Sequence, residues 1–364
     1  MAVHGALFGV LQLPVFYIFA KRLFKKTKWA AIGTVLFAAD FMHFDLTRIA
    51  TIDSYSIFFI LLMYLFMYEY SQHNFNREKL WKTFIPLGLC GISFALGAAT
   101  KWLCIYAGLG LCVLFFYTVY QRHQEYKYAR ENGIEEIAAN YKKKLTLTIL
   151  FCVLVFIIIP VIVYVASYAP YFNNTEREFG LLDVWKNQEY MLNYHGNLKT
   201  DTPHPYSSRV FTWPLNVHPV FFFMAEGEMN GLSGLIWCIG NPLVWWGGLL
   251  GVLYLIGMRK NRGQKLKGLP FIAIAALSQY LPWTLISREV FIYHYFATLP
   301  FLILALVYAL RRISGTYKHG KQCVYAYVAL CVAAFFLFYP IMTGVLVSRS
   351  YNLFLQWLPN WPVV

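Results

Sequence analysis

The chain has 364 residues, 59% of them hydrophobic and only 13% charged. That charge is too sparse to cover the surface of a water-soluble protein of this length, which excludes an ordinary soluble enzyme. The net charge of +14 does not indicate a nucleic-acid partner, because the excess Lys and Arg fall in short loops between apolar runs.

Those runs are long enough to cross about 30 Å of hydrocarbon and predict ten spans. They lie at about 5–20, 29–44, 52–70, 84–100, 103–120, 145–168, 241–257, 269–287, 291–310 and 324–346. Basic residues follow the odd-numbered spans: Lys21 to Lys28, Arg77 to Lys82, Arg122 to Lys144, Arg259 to Lys267 and Arg311 to Lys321. The positive-inside rule places these loops in the cytoplasm and both termini outside, with the long segment 169–240. The expected architecture is an all-α polytopic membrane protein of about ten transmembrane helices with one long extracytoplasmic loop. It divides into a six-span part at 1–168, the loop at 169–240 and a four-span part at 241–364. Segment 121–144, with Glu125, Glu131, Glu135 and Glu136 among its bases, reads as an amphipathic cytoplasmic helix. Met1 leads almost directly into a span without a basic n-region, so no cleavable signal peptide is expected. The seven cysteines (90, 104, 112, 152, 238, 323 and 331) include no CxxC spacing and predict neither a disulfide framework nor a zinc site.

Ionisable residues in or beside spans are costly, and here they cluster in the outer turns. Asp40, His43, Asp45, Arg48 and Asp53 surround the turn between spans two and three. Lys101 with Trp102 marks the turn between spans four and five. Arg288, Glu289 and His294 mark the turn between spans eight and nine. Each has an ordinary structural reading. Asp45 and Arg48 are three apart on one helix face and could pair; Arg288 and Glu289 could cap their turn; Lys101 could extend to lipid headgroups. Their shared side with the long loop predicts one site at the outer membrane surface.

The loop carries His195, His204 and His218, whose spacing matches no metal-ligand cluster, so no metal is expected. Pro203, Pro205, Pro214 and Pro219 restrict its backbone and predict an ordered segment. Trp185, Tyr190, Tyr194, Tyr206, Trp213 and Phe221 to Phe223 offer faces for a sugar ring or the membrane. Asn173-Asn174-Thr175 is a glycosylation sequon, usable only in a host with that machinery.

Several stretches resemble the protein O-mannosyltransferases, a polyprenyl-phosphate-mannose-dependent family with a GT-C type membrane fold. They are Arg48-Ile49-Ala50-Thr51-Ile52-Asp53, Lys101-Trp102, Tyr194-His195, His204-Pro205-Tyr206-Ser207-Ser208, Thr212-Trp213-Pro214-Leu215, and Phe291-Ile292-Tyr293-His294-Tyr295-Phe296. The loop has no room for the sugar-binding-like repeats of fungal and animal members, so the chain is similar to the shorter bacterial ones. Against the family pattern the first span and first external loop are missing, and with them the acidic pair that holds the presumed base; no Asp-Glu or Glu-Asp dipeptide occurs. Ala2, Val3 and His4 stand where the family usually has an arginine.

The resemblance implies transfer of mannose from a polyprenyl phosphate to Ser or Thr hydroxyls of an exported protein. Arg48, Lys101, Arg209 and Arg288 are then the cations for the leaving phosphate. His204, Tyr206, Ser207, Asp53 and His294 complete the substrate-binding set, and no catalytic base is assigned: Asp45 and Asp53 are read as structural or arginine-pairing. No metal or cofactor is needed. The implied partners are the lipid-linked donor, the acceptor protein, membrane lipids and a related full-length subunit. Two other readings stand beside it. One is a non-catalytic scaffold or regulatory subunit of the same family. The other is a transporter, which the one-sided charge disfavours.

Overall fold

The computed structural model describes residues 2–173, 179–197, 204–225, 231–262 and 268–361. Helices occupy all ten expected places. Six of the described helices are long and apolar enough to cross a membrane: α1 (Ala2–Phe24), α5 (Leu80–Thr100), α6 (Leu103–Glu131), α7 (Glu135–Val153) continuing through α8 (Ile159–Ala166), α13 (Leu299–Thr316) and α14 (Gly320–Thr343). A seventh arises if α2 (Thr27–Ala38) and α3 (Phe41–Arg48), bent by 60° at their junction, are one span. Helix α4 (Asp53–Gln72) and two shorter apolar helices, α11 (Pro242–Arg262) and α12 (Leu269–Tyr280), fill the other places.

The chain divides into two compact units, one of Met1–Ser54 with Leu198–Val364 and the other of Tyr55–Asn197. This division by contact differs from the three-part division by hydropathy. In the second unit the span that ends in α8 carries a π-helical turn at Leu154–Ile158. Pro160 follows directly; its ring has no N–H and crowds the carbonyl four residues back, which favours the wider turn. The bulge packs on α5, where a Cβ at Gly91 would stand 2.6 Å from the Val155 carbonyl oxygen, so only glycine fits.

Segment 121–144 is not one amphipathic helix. Helix α6 runs on to Glu131, the chain reverses at Gly133 with φ of 69°, and α7 starts at Glu135. Gly133 tolerates that left-handed conformation, and the mixed charges belong to two helix ends. The Glu125 carboxylate accepts from Asn74 Nδ2 (2.8 Å), Asn76 Nδ2 (3.1 Å) and Arg122 Nη1 (2.7 Å), tying α6 to the 73–79 turn.

The described residues of the long loop are partly regular, and Pro203 lies outside them. The loop holds a short helix α9 (Ala169–Phe172), α10 (Leu181–Asn197), a 3-10 turn at Val210–Leu215, and strands β1 (Val220–Met224), β2 (Leu232–Ser233) and β3 (Leu235–Cys238). β1 pairs antiparallel with β3, and β2 with β4 (Val347–Ser348), ahead of α15 (Arg349–Phe354). These strands modify the all-α expectation without displacing it. Asn174 and Thr175 of the sequon lie outside the described residues. The ninth span, expected from 291, begins at Leu299, because Ile292–Ala297 is a 3-10 helix.

Candidate functional site

The site residues of the first unit are placed by the break between α2 and α3. Asp40 caps α3: its Oδ1 accepts from the amides of Met42 (3.0 Å) and His43 (3.3 Å). Its Oδ2 accepts from the Asn241 amide (3.2 Å) and Trp245 Nε1 (2.8 Å) at the start of α11. Asn241 in turn donates to the carbonyls of Ala39 (2.9 Å) and Cys331 (3.0 Å). Asp40 is therefore a fully buried joint among three segments, not a reactive group. His43 is likewise internal, with Nε2 3.3 Å from the Gly9 carbonyl.

One turn further, Asp45 and Arg48 do not form the ion pair that their spacing allowed. Both Asp45 oxygens are buried and have no hydrogen-bond partner among the described residues. Arg48 lies half-buried over the Phe44 ring, its guanidinium carbon 4.9 Å from the ring centre, and donates from Nη2 to the Met342 carbonyl at 3.2 Å. A guanidinium has five N–H groups, and the remaining ones make no hydrogen bond to a described residue. Asp53, buried at the start of α4, belongs to the same surroundings. The Tyr293 hydroxyl is pushed up to about 12, first by burial and then by Asp53, with Arg288 opposing. Burial also pushes the Cys238 thiol up, with Asp45, Asp53 and Asp40 adding to it. Carboxylates and arginines thus converge where α3, β3 and the 288–294 segment meet.

The His-Pro-Tyr-Ser-Ser stretch lies against that segment. The Ser208 amide donates to the Val290 carbonyl (2.9 Å), the His204 amide to Glu289 Oε1, and the His204 and Phe291 rings meet edge to face at 5.2 Å. Within the stretch, His204 Nδ1 accepts from the Tyr206 amide (3.2 Å), and the Tyr206 ring stands edge-on to Trp237 at 5.8 Å. Tyr206, Ser207 and Arg288 are half-buried; His204 and Arg209 are exposed.

The Trp-Pro motif downstream is architectural. Trp213 Nε1 donates to Ser208 Oγ at 3.0 Å. Asn216, in the left-handed region at φ of 59°, ends the 3-10 turn and clamps Gly240, donating to its carbonyl (2.7 Å) and accepting from its amide (3.1 Å). Trp246, Trp361 and Tyr280 donate to the carbonyls of Leu215 (2.9 Å), Asn216 (2.7 Å) and Val210 (3.0 Å). His294 is a wall rather than an exposed ligand. It is buried between Trp283, Tyr293 and Trp213, with ring centres 4.0, 4.5 and 5.9 Å away.

In the second unit Lys101 caps the C-terminal end of α5. Trp102 Nε1 donates to the Tyr164 hydroxyl (3.1 Å), which donates to Gln188 Oε1 (2.7 Å) on α10. His195 lies in the last turn of α10. His218 Nε2 lies 3.4 Å from Asn360 Nδ2 in the first unit. Among the described residues no group of three His, Cys, Asp or Glu could hold a metal ion. Sequence reasoning missed Glu289 as a partner of His204, since nothing local links two residues 85 apart.

Two family models match end to end. Residues 1–175 match the model described as dolichyl-phosphate-mannose-protein mannosyltransferase. Residues 181–361 match the C-terminal four-span region of protein O-mannosyltransferase. The polyprenol-phosphate-mannose–protein mannosyltransferase of Mycolicibacterium smegmatis is 25% identical over 413 aligned residues, covering 98% of this chain and 76% of that protein. That of Mycobacterium tuberculosis is 24% identical with the same coverage. A solved structure of the Saccharomyces cerevisiae protein O-mannosyltransferase Pmt1-Pmt2 complex, bound to the sugar donor, superposes with a TM-score of 0.80. It covers all of this chain and 80% of that one at 12% identity, which is a likeness of fold.

Proposed function

The chain belongs to the protein O-mannosyltransferase family, a family of multi-pass membrane glycosyltransferases, and on that premise we propose that it moves mannose from a polyprenyl-phosphate donor to Ser or Thr hydroxyls of exported proteins. The active face is extracytoplasmic in this reading, on the side that the basic loops assign to the 169–240 segment. The acceptor oxygen attacks the anomeric carbon, the bond from that carbon to the phosphate oxygen breaks, and the lipid phosphate leaves with the electron pair. A carboxylate takes the acceptor proton.

The observation that carries the reading is Arg48. A half-buried guanidinium whose N–H groups are mostly unused by the described residues suits a bidentate contact with the phosphate, where charge builds as the bond breaks. Arg209, Arg288 and Lys101 are the other cations that the family resemblance implies for the phosphate. Tyr206 and Ser207, with His204 beside them, are the groups for the sugar or the acceptor peptide; Asp53 and His294 lie buried in the same unit. No metal or cofactor enters the scheme.

No Asp-Glu or Glu-Asp dipeptide occurs in these 364 residues, so the reading includes a carboxylate supplied by a second polypeptide. A related full-length subunit added to the membranes should raise the rate. The test uses membranes holding the chain, labelled polyprenyl-phosphate mannose and a Ser/Thr-rich acceptor peptide, with and without that subunit. Arg48→Ala should lower transfer by about 10²–10³, the usual effect of removing one group that stabilises developing charge. Transfer that survives Arg48→Ala unchanged removes Arg48 from the site, and no transfer in either mixture overturns the reading.

A further inference from the structure

The 204–225 and 286–298 segments, which build the loop face of the site, contain one carboxylate between them, Glu289. It stands beside Arg288, and Arg209 closes the His204–Arg209 stretch. Its carboxylate reaches across 85 positions of sequence to the backbone of that stretch. Oε1 accepts the His204 amide proton, at the first described residue after 198–203. Three further contacts follow in register. The His204 ring meets Phe291, the Ser208 amide meets the Val290 carbonyl, and His204 Nδ1 receives the Tyr206 amide. The first two join the two segments; the third folds the stretch on itself. Of the side chains that touch the stretch from the 286–298 segment, Glu289 is the one that can offer a charged acceptor, and charge-assisted bonds are about twice as strong as neutral ones.

We propose that Glu289 is a positioning residue: its carboxylate fastens the His204–Arg209 stretch to the 288–291 turn and so presents Tyr206, Ser207 and Arg209 at a fixed place. Its role for catalysis rests on the mannosyltransferase reading; its role in holding the stretch does not. What the bond to His204 requires is an oxygen acceptor at that position, not acid–base chemistry. The amide oxygen of glutamine supplies one at the same reach. Aspartate, one methylene shorter, draws the acceptor back from the His204 amide.

The experiment compares Glu289→Gln, Glu289→Asp and Glu289→Ala in the full chain, with two readouts. Amide hydrogen exchange of the peptide holding residues 204–209 is measured in detergent without any substrate. Mannosyl transfer is measured in the membrane mixture described above. The expected result is that Ala raises exchange of that peptide by at least about tenfold, that Asp is intermediate, and that Gln stays within about threefold of the parent, because its neutral oxygen keeps about half of a charge-assisted bond. Transfer should follow the same order, with Gln rescuing what Ala loses. Unchanged exchange in Ala overturns the proposal. So does a Gln variant that keeps normal exchange but loses transfer as completely as Ala, since the carboxylate would then act by its charge or as a base. If the parent itself transfers no mannose, the exchange measurement still decides the positioning role, and only the proposed function fails.

Discussion

Replacing Asp40 tests the joint between the α2–α3 break and α11. The side chain is fully buried and accepts four N–H groups, from Met42, His43, Asn241 and Trp245. Asp40→Ala leaves all four donors without an acceptor. At about 1–3 kcal/mol for each stranded buried group, the cost is about 4–12 kcal/mol, comparable to the whole stability of a typical domain. Asp40→Asn is the sharper variant. Its single amide oxygen can serve either the α3 amides or the Asn241–Trp245 pair, and the NH2 then faces two donors, so about 2–6 kcal/mol is lost. Fluorescence-detected size exclusion after heating in detergent measures this directly. At roughly 2–4 °C per kcal/mol for a unit of this size, Asn should lower the midpoint by about 4–24 °C and Ala should prevent a monodisperse peak. An Ala variant as heat-resistant as the parent would refute the view of Asp40 as a structural joint.

The other predictions concern separate parts of the fold. Asn216→Ala gives up both bonds to Gly240 at a left-handed position, and the same heating assay should show a loss of about 2–4 kcal/mol. Gly91→Val forces a Cβ onto the Val155 carbonyl; overpacking of this kind costs about 1–3 kcal/mol, and a normal midpoint would mean that the π-helical turn shifts freely. Glu78, in the turn before α5, is held below the usual carboxylate range, first by the His73 Nδ1 hydrogen bond at 2.9 Å. Because its folded value is the depressed one, its contribution is complete above the ordinary range near 4.5 and is lost as pH falls through the folded value. The midpoint of Glu78→Gln should therefore fall less steeply with acid than that of the parent, and identical slopes would refute the assignment.

Sequence periodicity placed the helices well, because a span must be apolar along its length whatever it packs against. It also found the polar cluster, since a charge beside a span is visible without a structure. What it could not reach were partners. Asp40 meets Asn241 and Trp245 from 201 and 205 positions away, and Glu289 meets His204 from 85. The Asp45–Arg48 spacing allowed a pair, but a nearer main-chain oxygen, that of Met342, took the arginine. His294 looked available because it stands between tyrosines at a predicted span end, yet the 3-10 turn folds it inward among tryptophans. The Phe221 to Phe223 run, which offers faces for sugar or lipid, lies in a strand paired with Leu235–Cys238, a pairing that its letters do not reveal, and Phe223 stays exposed there.

The ring donors that hold the Val210–Asn216 turn have an effect on how its sequence can change. Trp246, Trp361 and Tyr280 all end on main-chain carbonyls, at Leu215, Asn216 and Val210. A carbonyl is present whichever side chain stands at the position, and a bond between neutral groups is not screened by salt. The fastening therefore reads the path of the backbone and not its letters. Leu215, whose side chain is exposed, can drift to other residues through many generations and leave its anchor intact, whereas a single change in the indole opposite releases it.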